Sequence, residues 1–105
     1  MRFLILFLLL GLSSIFAHGK VSKDCTFKGK SLNGKVKIVE YGEDFKVKVV
    51  SALEDLKVQQ VDNWLFSECG KWQFMNNGME DFKVKFVEFG EDFTIRFVTV
   101  LPGVP

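Results

Sequence analysis

An imperfect eleven-residue repeat runs through most of this 105-residue chain and limits what it can fold into. Lys35–Phe45, Lys46–Leu56, Lys83–Phe93 and Thr94–Val104 are regular units, with longer ones beginning at Lys57 and Lys71 between them. Each unit opens with polar–apolar alternation, as in Lys83-Val84-Lys85-Phe86, which is the period of a β-strand. β-Branched and aromatic residues fill the apolar places, which favours strand over helix. The second residues of the units are Val36, Val47, Val58, Trp72, Val84 and Ile95. The fourth are Ile38, Val49, Gln60, Phe74, Phe86 and Phe97. Both columns are expected to share one face and line the core. A fifth column, Val39, Val50, Val61, Met75, Val87 and Val98, falls on the opposite face. Two apolar faces predict a chain that layers on itself.

The rest of each unit reads as a turn. Gly42, Gly78 and Gly90 share one place, which suits a left-handed backbone, with Leu53 and Leu101 as exceptions. Asp44, Asp55, Asp81 and Asp92 recur just before the next strand, each preceded by a Glu. Asp there is expected to accept hydrogen bonds from nearby turn amides, a structural role. An eleven-residue period can also mark a right-handed coiled coil, but the recurrent Gly and Val-x-Phe-Val alternation oppose helix. Cys25–Gly34 reads as a degenerate seventh unit. The fold class is therefore all-β, a compact domain of six to seven short strand–turn repeats. Repeats by themselves imply a short β-solenoid or a small barrel.

Residues 1–17 read as a signal peptide, with a positive Arg2, an apolar run from Phe3 to Leu12 and a small-residue exit at Ala17. Residues 18–24 are then a flexible mature N-terminus and 25–105 a single domain. The mature chain is expected to be exported, periplasmic or secreted, without stable membrane insertion, since the apolar run falls short of a span of about 20 residues. Export favours a disulfide between Cys25 and Cys69, the only two cysteines. Two buried free thiols are the alternative.

At this point the chain resembles the septoil knot family. The resemblance rests on Lys35–Phe45, Lys46–Leu56, Cys69-Gly70-Lys71-Trp72, Glu80-Asp81-Phe82, Lys83–Phe93 and the ending Pro102-Gly103-Val104. It covers roughly residues 25–104. Tyr-Gly-Glu-Asp and Phe-Gly-Glu-Asp stand where many relatives carry a Pro before the Asp. The resemblance implies a deep seven-crossing torus knot, 7(1), in place of a simple solenoid or barrel. It implies no activity and brings no catalytic residues.

The chemistry-bearing residues point away from an enzyme. One His leaves no imidazole pair for a triad or a catalytic metal. Fourteen Lys and Arg against thirteen Asp and Glu give no basic excess for nucleic acid. No cofactor is implied. The Glu-Asp pairs allow a calcium-binding or carboxylate-hydrolase alternative, although calcium asks for six to eight oxygen ligands at close range. The Lys columns read as a solvated strand face. Trp64, Leu65 and Phe66, in the longest unit, are a candidate binding surface or else a plug for the core. The reading is a stable, non-enzymatic envelope or extracellular module with a macromolecular partner.

Overall fold

The computed structural model describes residues 20–62 and 68–105. The segment 1–17, expected to be a signal peptide, and the candidate surface residues Trp64, Leu65 and Phe66 lie outside the described residues. Eight strands follow one another: β1 (Thr26–Phe27), β2 (Lys30–Ser31), β3 (Gly34–Ile38), β4 (Phe45–Val49), β5 (Leu56–Gln60), β6 (Lys71–Phe74), β7 (Phe82–Phe86) and β8 (Phe93–Phe97). The described residues contain no helix. β3 to β8 close into an all-parallel barrel in the order β3-β6-β5-β8-β4-β7. The repeat thus forms a barrel and not an open solenoid. The degenerate first unit adds no barrel strand. It makes a separate antiparallel hairpin, β1–β2.

One register rule builds the barrel. Numbering each strand from the Phe, Leu or Gly that precedes the Lys of the repeat, position three of one strand faces position one of the next. Val36 lies opposite Phe82, Val84 opposite Phe45, Val47 opposite Phe93 and Ile95 opposite Leu56. On the two remaining sides Trp72 lies opposite Gly34 of β3 and Gln60 of β5. A two-residue stagger is about 6.6 Å along a strand against about 4.8 Å between strands, which tilts the strands by about 54°. Ordinary barrels tilt by about 35–45°.

The steep tilt lets short connections join parallel strands that normally need a crossover of a dozen residues or more. The segment leaving β3 bonds to β7 at both ends. Val39 N–H donates to the Val84 carbonyl at 2.9 Å, and Asp44 N–H to the Lys83 carbonyl at 2.9 Å. That segment is therefore a strap across β7. By the same pairs of bonds, the segment after β4 crosses β8, that after β6 crosses β3, that after β7 crosses β4 and that after β8 crosses β5. A strand that is strapped itself leads into a strap over another, so the chain is interlocked. The fifth column is half-buried between strap and sheet, the layering its apolar character implied.

The repeat aspartates fasten the straps. Asp92 Oδ2 accepts the Lys46 N–H at 2.7 Å while its own N–H donates to the Lys46 carbonyl at 2.7 Å. Asp81 grips Lys35, Asp44 grips Lys83 and Asp55 grips Thr94 in the same way. Their partners are amides of neighbouring strands 39 to 46 residues away, not turn amides. The stagger brings each strand start beside position two of its neighbour. At Lys57 the grip passes to Gly103, whose N–H and carbonyl both pair with Lys57. Gly70 must be glycine there, because a Cβ would collide with the Lys57 carbonyl.

Core layering corrects half of the expected pattern. The second column is fully buried, and below it lie Phe45, Leu56, Phe82 and Phe93. Ile38, Val49, Phe86 and Phe97 share that inward face but are exposed, because the barrel ends at their level. The opposite end is plugged by Val21, Cys25, Leu32 and Phe27, with Phe27 ringed by Phe45 and Phe93 at 5.5 and 5.2 Å. Ahead of the plug hairpin, Val21 is buried and Lys20 N–H donates to an Asp55 carboxylate oxygen. Cys25 and Cys69 form the disulfide, tying the plug to the start of β6. Buried Trp72 donates its indole N–H to the Leu32 carbonyl at 2.9 Å.

Two outcomes follow from the grips and the plug. Asp92→Ala should lower stability by about 1–2 kcal/mol by leaving the Lys46 N–H without its acceptor, whereas Glu43→Ala should stay within about 0.5 kcal/mol. Urea unfolding of both variants checks this. Joint replacement of Cys25 and Cys69 by Ser should cost about 4 kcal/mol yet leave refolding slow. Non-local strand pairing, not the disulfide, sets that rate. Stopped-flow refolding of both forms decides, and fast refolding of the Ser variant would count against the interlock.

Candidate functional site: the open end and one wall of the barrel

The strands all point the same way, so their last residues gather at one end. Ile38, Val49, Gln60, Phe74, Phe86 and Phe97 form that ring. Phe74 meets Phe86 at 6.5 Å and Phe97 at 6.3 Å, edge-to-face. Neither β7 nor β8 adjoins β6, so the Phe74 ring reaches across the mouth. Around it Phe86 is 36% exposed and Ile38 51%. A depression of about 350 Å³ lies between Ile38, Phe74, Met75 and Asn76.

The straps add a second set of apolar side chains. Tyr41 stands over the Lys85 ammonium at 5.7 Å and Phe89 over Lys48 at 5.8 Å. Both lysines sit one residue before the mouth, so these aromatics flank the same end. The lysine columns, expected as a freely solvated face, lie mostly half-covered under the straps. A closed barrel has no edge for them to guard.

The wall formed by β5 and β8 differs from the rest. Its two straps carry Leu53 and Leu101 where other straps carry glycine. Both have left-handed backbones, with φ of 59° and 56°. Leu53 is 96% and Leu101 80% exposed. Beside them runs a groove of about 420 Å³ lined by Lys57, Arg96, Phe97, Val98, Val100 and Leu101, together with Thr99. Across this wall Arg96 makes a two-pronged pair with Glu54, at 2.9 and 3.1 Å. The Arg96 hydrogen bonds hold the Glu54 carboxyl below the usual glutamate range, against a smaller opposing effect of burial.

The acids singled out from sequence do not converge. Asp44, Asp55, Asp81 and Asp92 each serve a different pair of strands. Among the described residues no three His, Cys, Asp or Glu side chains come together as a metal site. The mouth ring escaped sequence reasoning because period-two alternation marks the inward face without saying where the barrel ends. The left-handed leucines were visible as exceptions in the repeat, though nothing local showed they would be exposed.

A family model described as the 7(1) septoil knot domain matches residues 29–105. The match takes in the whole barrel and its straps. It leaves Val21, Cys25 and Phe27 of the plug outside. No curated protein matches the chain. The interlocked straps are the kind of wiring that a seven-crossing knot requires.

The Glu54 pair yields a pH test. A carboxyl depressed in the folded state stabilises the protein above the ordinary glutamate pKa, and that stability is lost as pH falls through the depressed value. Glu54→Gln should therefore be less stable than the parent at neutral pH, with the two converging in acid. Thermal melts from pH 7 down to about 2.5, spanning the carboxylate range, check this. A constant gap would show that the ion pair contributes nothing.

Proposed function

The chain belongs to the 7(1) septoil knot domain family, and on that premise we propose that it is an exported, non-enzymatic module. It works by presenting a durable surface to another macromolecule in the envelope or outside the cell. The surface is the apolar mouth with the adjoining β5–β8 wall. The observation that carries this reading is the placement of the large exposed apolar side chains. Ile38, Val49, Phe86 and Phe97 end strands, and Tyr41, Leu53, Phe89 and Leu101 follow on the straps. Contiguous apolar exposure on a small protein marks an interaction site. The repeat acids, by contrast, are engaged as strand fasteners, which favours binding over carboxylate chemistry.

Export is supported by the leader-like composition of residues 1–17 and by the Cys25–Cys69 disulfide, a bond that persists in oxidising compartments. No helix among the described residues is long and apolar enough to cross a membrane. An interlocked chain suits an exposed setting, because high unfolding barriers resist proteolysis.

Two measurements test the reading. The protein recovered from cell fractions should lie outside the cytoplasm and start at or near His18. Recovery in the cytoplasm with Met1 retained would end the export proposal. Immobilised protein should retain a partner from envelope extract, and Phe86→Ser with Phe89→Ser should reduce that retention at least tenfold, as removal of two aromatic anchors does. Equal retention by parent and variant would remove the mouth from consideration.

A further inference from the structure

Two Asn-Gly dipeptides occur in this chain, Asn33-Gly34 and Asn77-Gly78. In such a pair the side-chain amide can react with the next main-chain nitrogen, because glycine offers no Cβ to block the approach. The fold treats the two pairs differently. Gly34 opens β3 and is buried, opposite Trp72 of β6. The Asp81 carboxylate lies where a Cβ on Gly34 would stand, and it accepts the Lys35 N–H at 2.8 Å. Main chain held in this way does not swing toward the Asn33 side chain. The carboxylate also opposes any negative charge that builds up there.

Asn77-Gly78 is held by none of these restraints. It lies on the strap over β3, where Asn76, Asn77, Gly78 and Met79 are all exposed. Gly78 has a φ of 82° and open space around it. The Met79 N–H donates to Asn77 Oδ1 at 3.0 Å. That bond turns the side chain back onto its own main chain, beside the Gly78 nitrogen. It also polarises the side-chain carbonyl, as a donor aimed at a developing oxyanion does. The fold does not ask for asparagine here, since Tyr41 and Phe89 hold the corresponding exposed places of other straps.

We propose that Asn77 is a site of intramolecular deamidation, by which the folded protein slowly converts itself to a more acidic form. The Gly78 nitrogen gives its proton to hydroxide and attacks Asn77 Cγ. A succinimide ring closes, and Nδ2 leaves as ammonia after taking a proton back from water. Water then opens the ring at either carbonyl. One opening leaves aspartate, and the other leaves isoaspartate, with the main chain routed through the side chain. The net exchange is one water in and one ammonia out, with no oxidation or reduction. The strap absorbs the change. It runs from Met75 to Asp81, one residue longer than the strap from Val39 to Asp44, and the N–H groups at its two ends stay bonded to β3. The new carboxylate stands next to Asn76, at the edge of the mouth depression. A chain whose interlock slows unfolding persists long enough to accumulate such a product.

The test is ageing of the folded, disulfide-intact protein in warm, mildly alkaline buffer, followed by acid quenching, unfolding and peptide mass spectrometry. The peptide holding Asn77 should gain about 1 Da, the difference between an amide and an acid. Fragment ions should place the gain at Asn77 and not at Asn76, in two chromatographic species. The peptide holding Asn33 should stay unchanged in the folded protein and react in the reduced, urea-unfolded chain. Gly78→Ala should slow the gain about tenfold or more, because a Cβ hinders the attacking geometry. The fold accommodates that variant, as Leu53 shows with a φ of 59° at the equivalent place. Asn77→Tyr should abolish the acidic species on anion exchange, and the aged parent should keep its melting temperature. No gain at Asn77 in the folded protein, or equal gain at Asn33 and Asn77, overturns the proposal. So does a Gly78→Ala variant that reacts as fast as the parent. A lower melting temperature after ageing overturns the tolerance ascribed to the strap.

Discussion

A two-residue stagger between neighbouring strands governs this structure. It tilts the strands steeply, and the tilt brings the end of one strand near the start of the next but one. Connections of about six residues then suffice to span the strand between, where parallel sheets ordinarily need a helix. The stagger also places each strand start beside position two of its neighbour. That is why Asp44, Asp55, Asp81 and Asp92 meet main-chain groups of other strands. The repeat length, the steep tilt and the aspartates are one device. Loss of an aspartate side chain leaves a strand amide without its acceptor, while the main-chain bonds at both ends of the strap remain.

Packing follows from the same geometry. Three inward positions per strand make three layers. The first is closed from below by the N-terminal plug and its disulfide, and the second is sealed on all sides. Among the described residues the third has nothing above it. An apolar ring at that end is the natural consequence of a short parallel barrel whose described plug lies at the other end. Phe74, reaching from β6 toward Phe86 and Phe97, keeps water from the second layer without covering the ring. The outer face has its own economy, with fifth-column residues under the straps and lysines stacked on Tyr41 and Phe89.

This division of labour bears on function. The acids suggested chemistry when read along the chain, and in space they are distributed one to a strand pair. The apolar exposure lies instead at the mouth and along the straps, with Leu53, Val100 and Leu101 on the β5–β8 wall. There the protein tolerates left-handed leucine where glycine would fold more easily. A surface kept at the expense of local comfort is the strongest sign of use the molecule offers.

Much of this was legible in the sequence. The repeat determined the strands, the alternation determined their inward residues, and the two apolar faces determined a layered chain, because side-chain periodicity is local. The expectation of export favoured a disulfide between the two cysteines over two free thiols, and the structure forms it. The family resemblance carried the knot, which periodicity could not supply. Only the tertiary structure decided that the fourth column ends at an open mouth, that the aspartates grip distant strands, that Val21 belongs to the core and that the first unit is a hairpin. Those depend on register and on which strand neighbours which. Such pairings join residues some 40 positions apart, and no local pattern of polar and apolar residues encodes them.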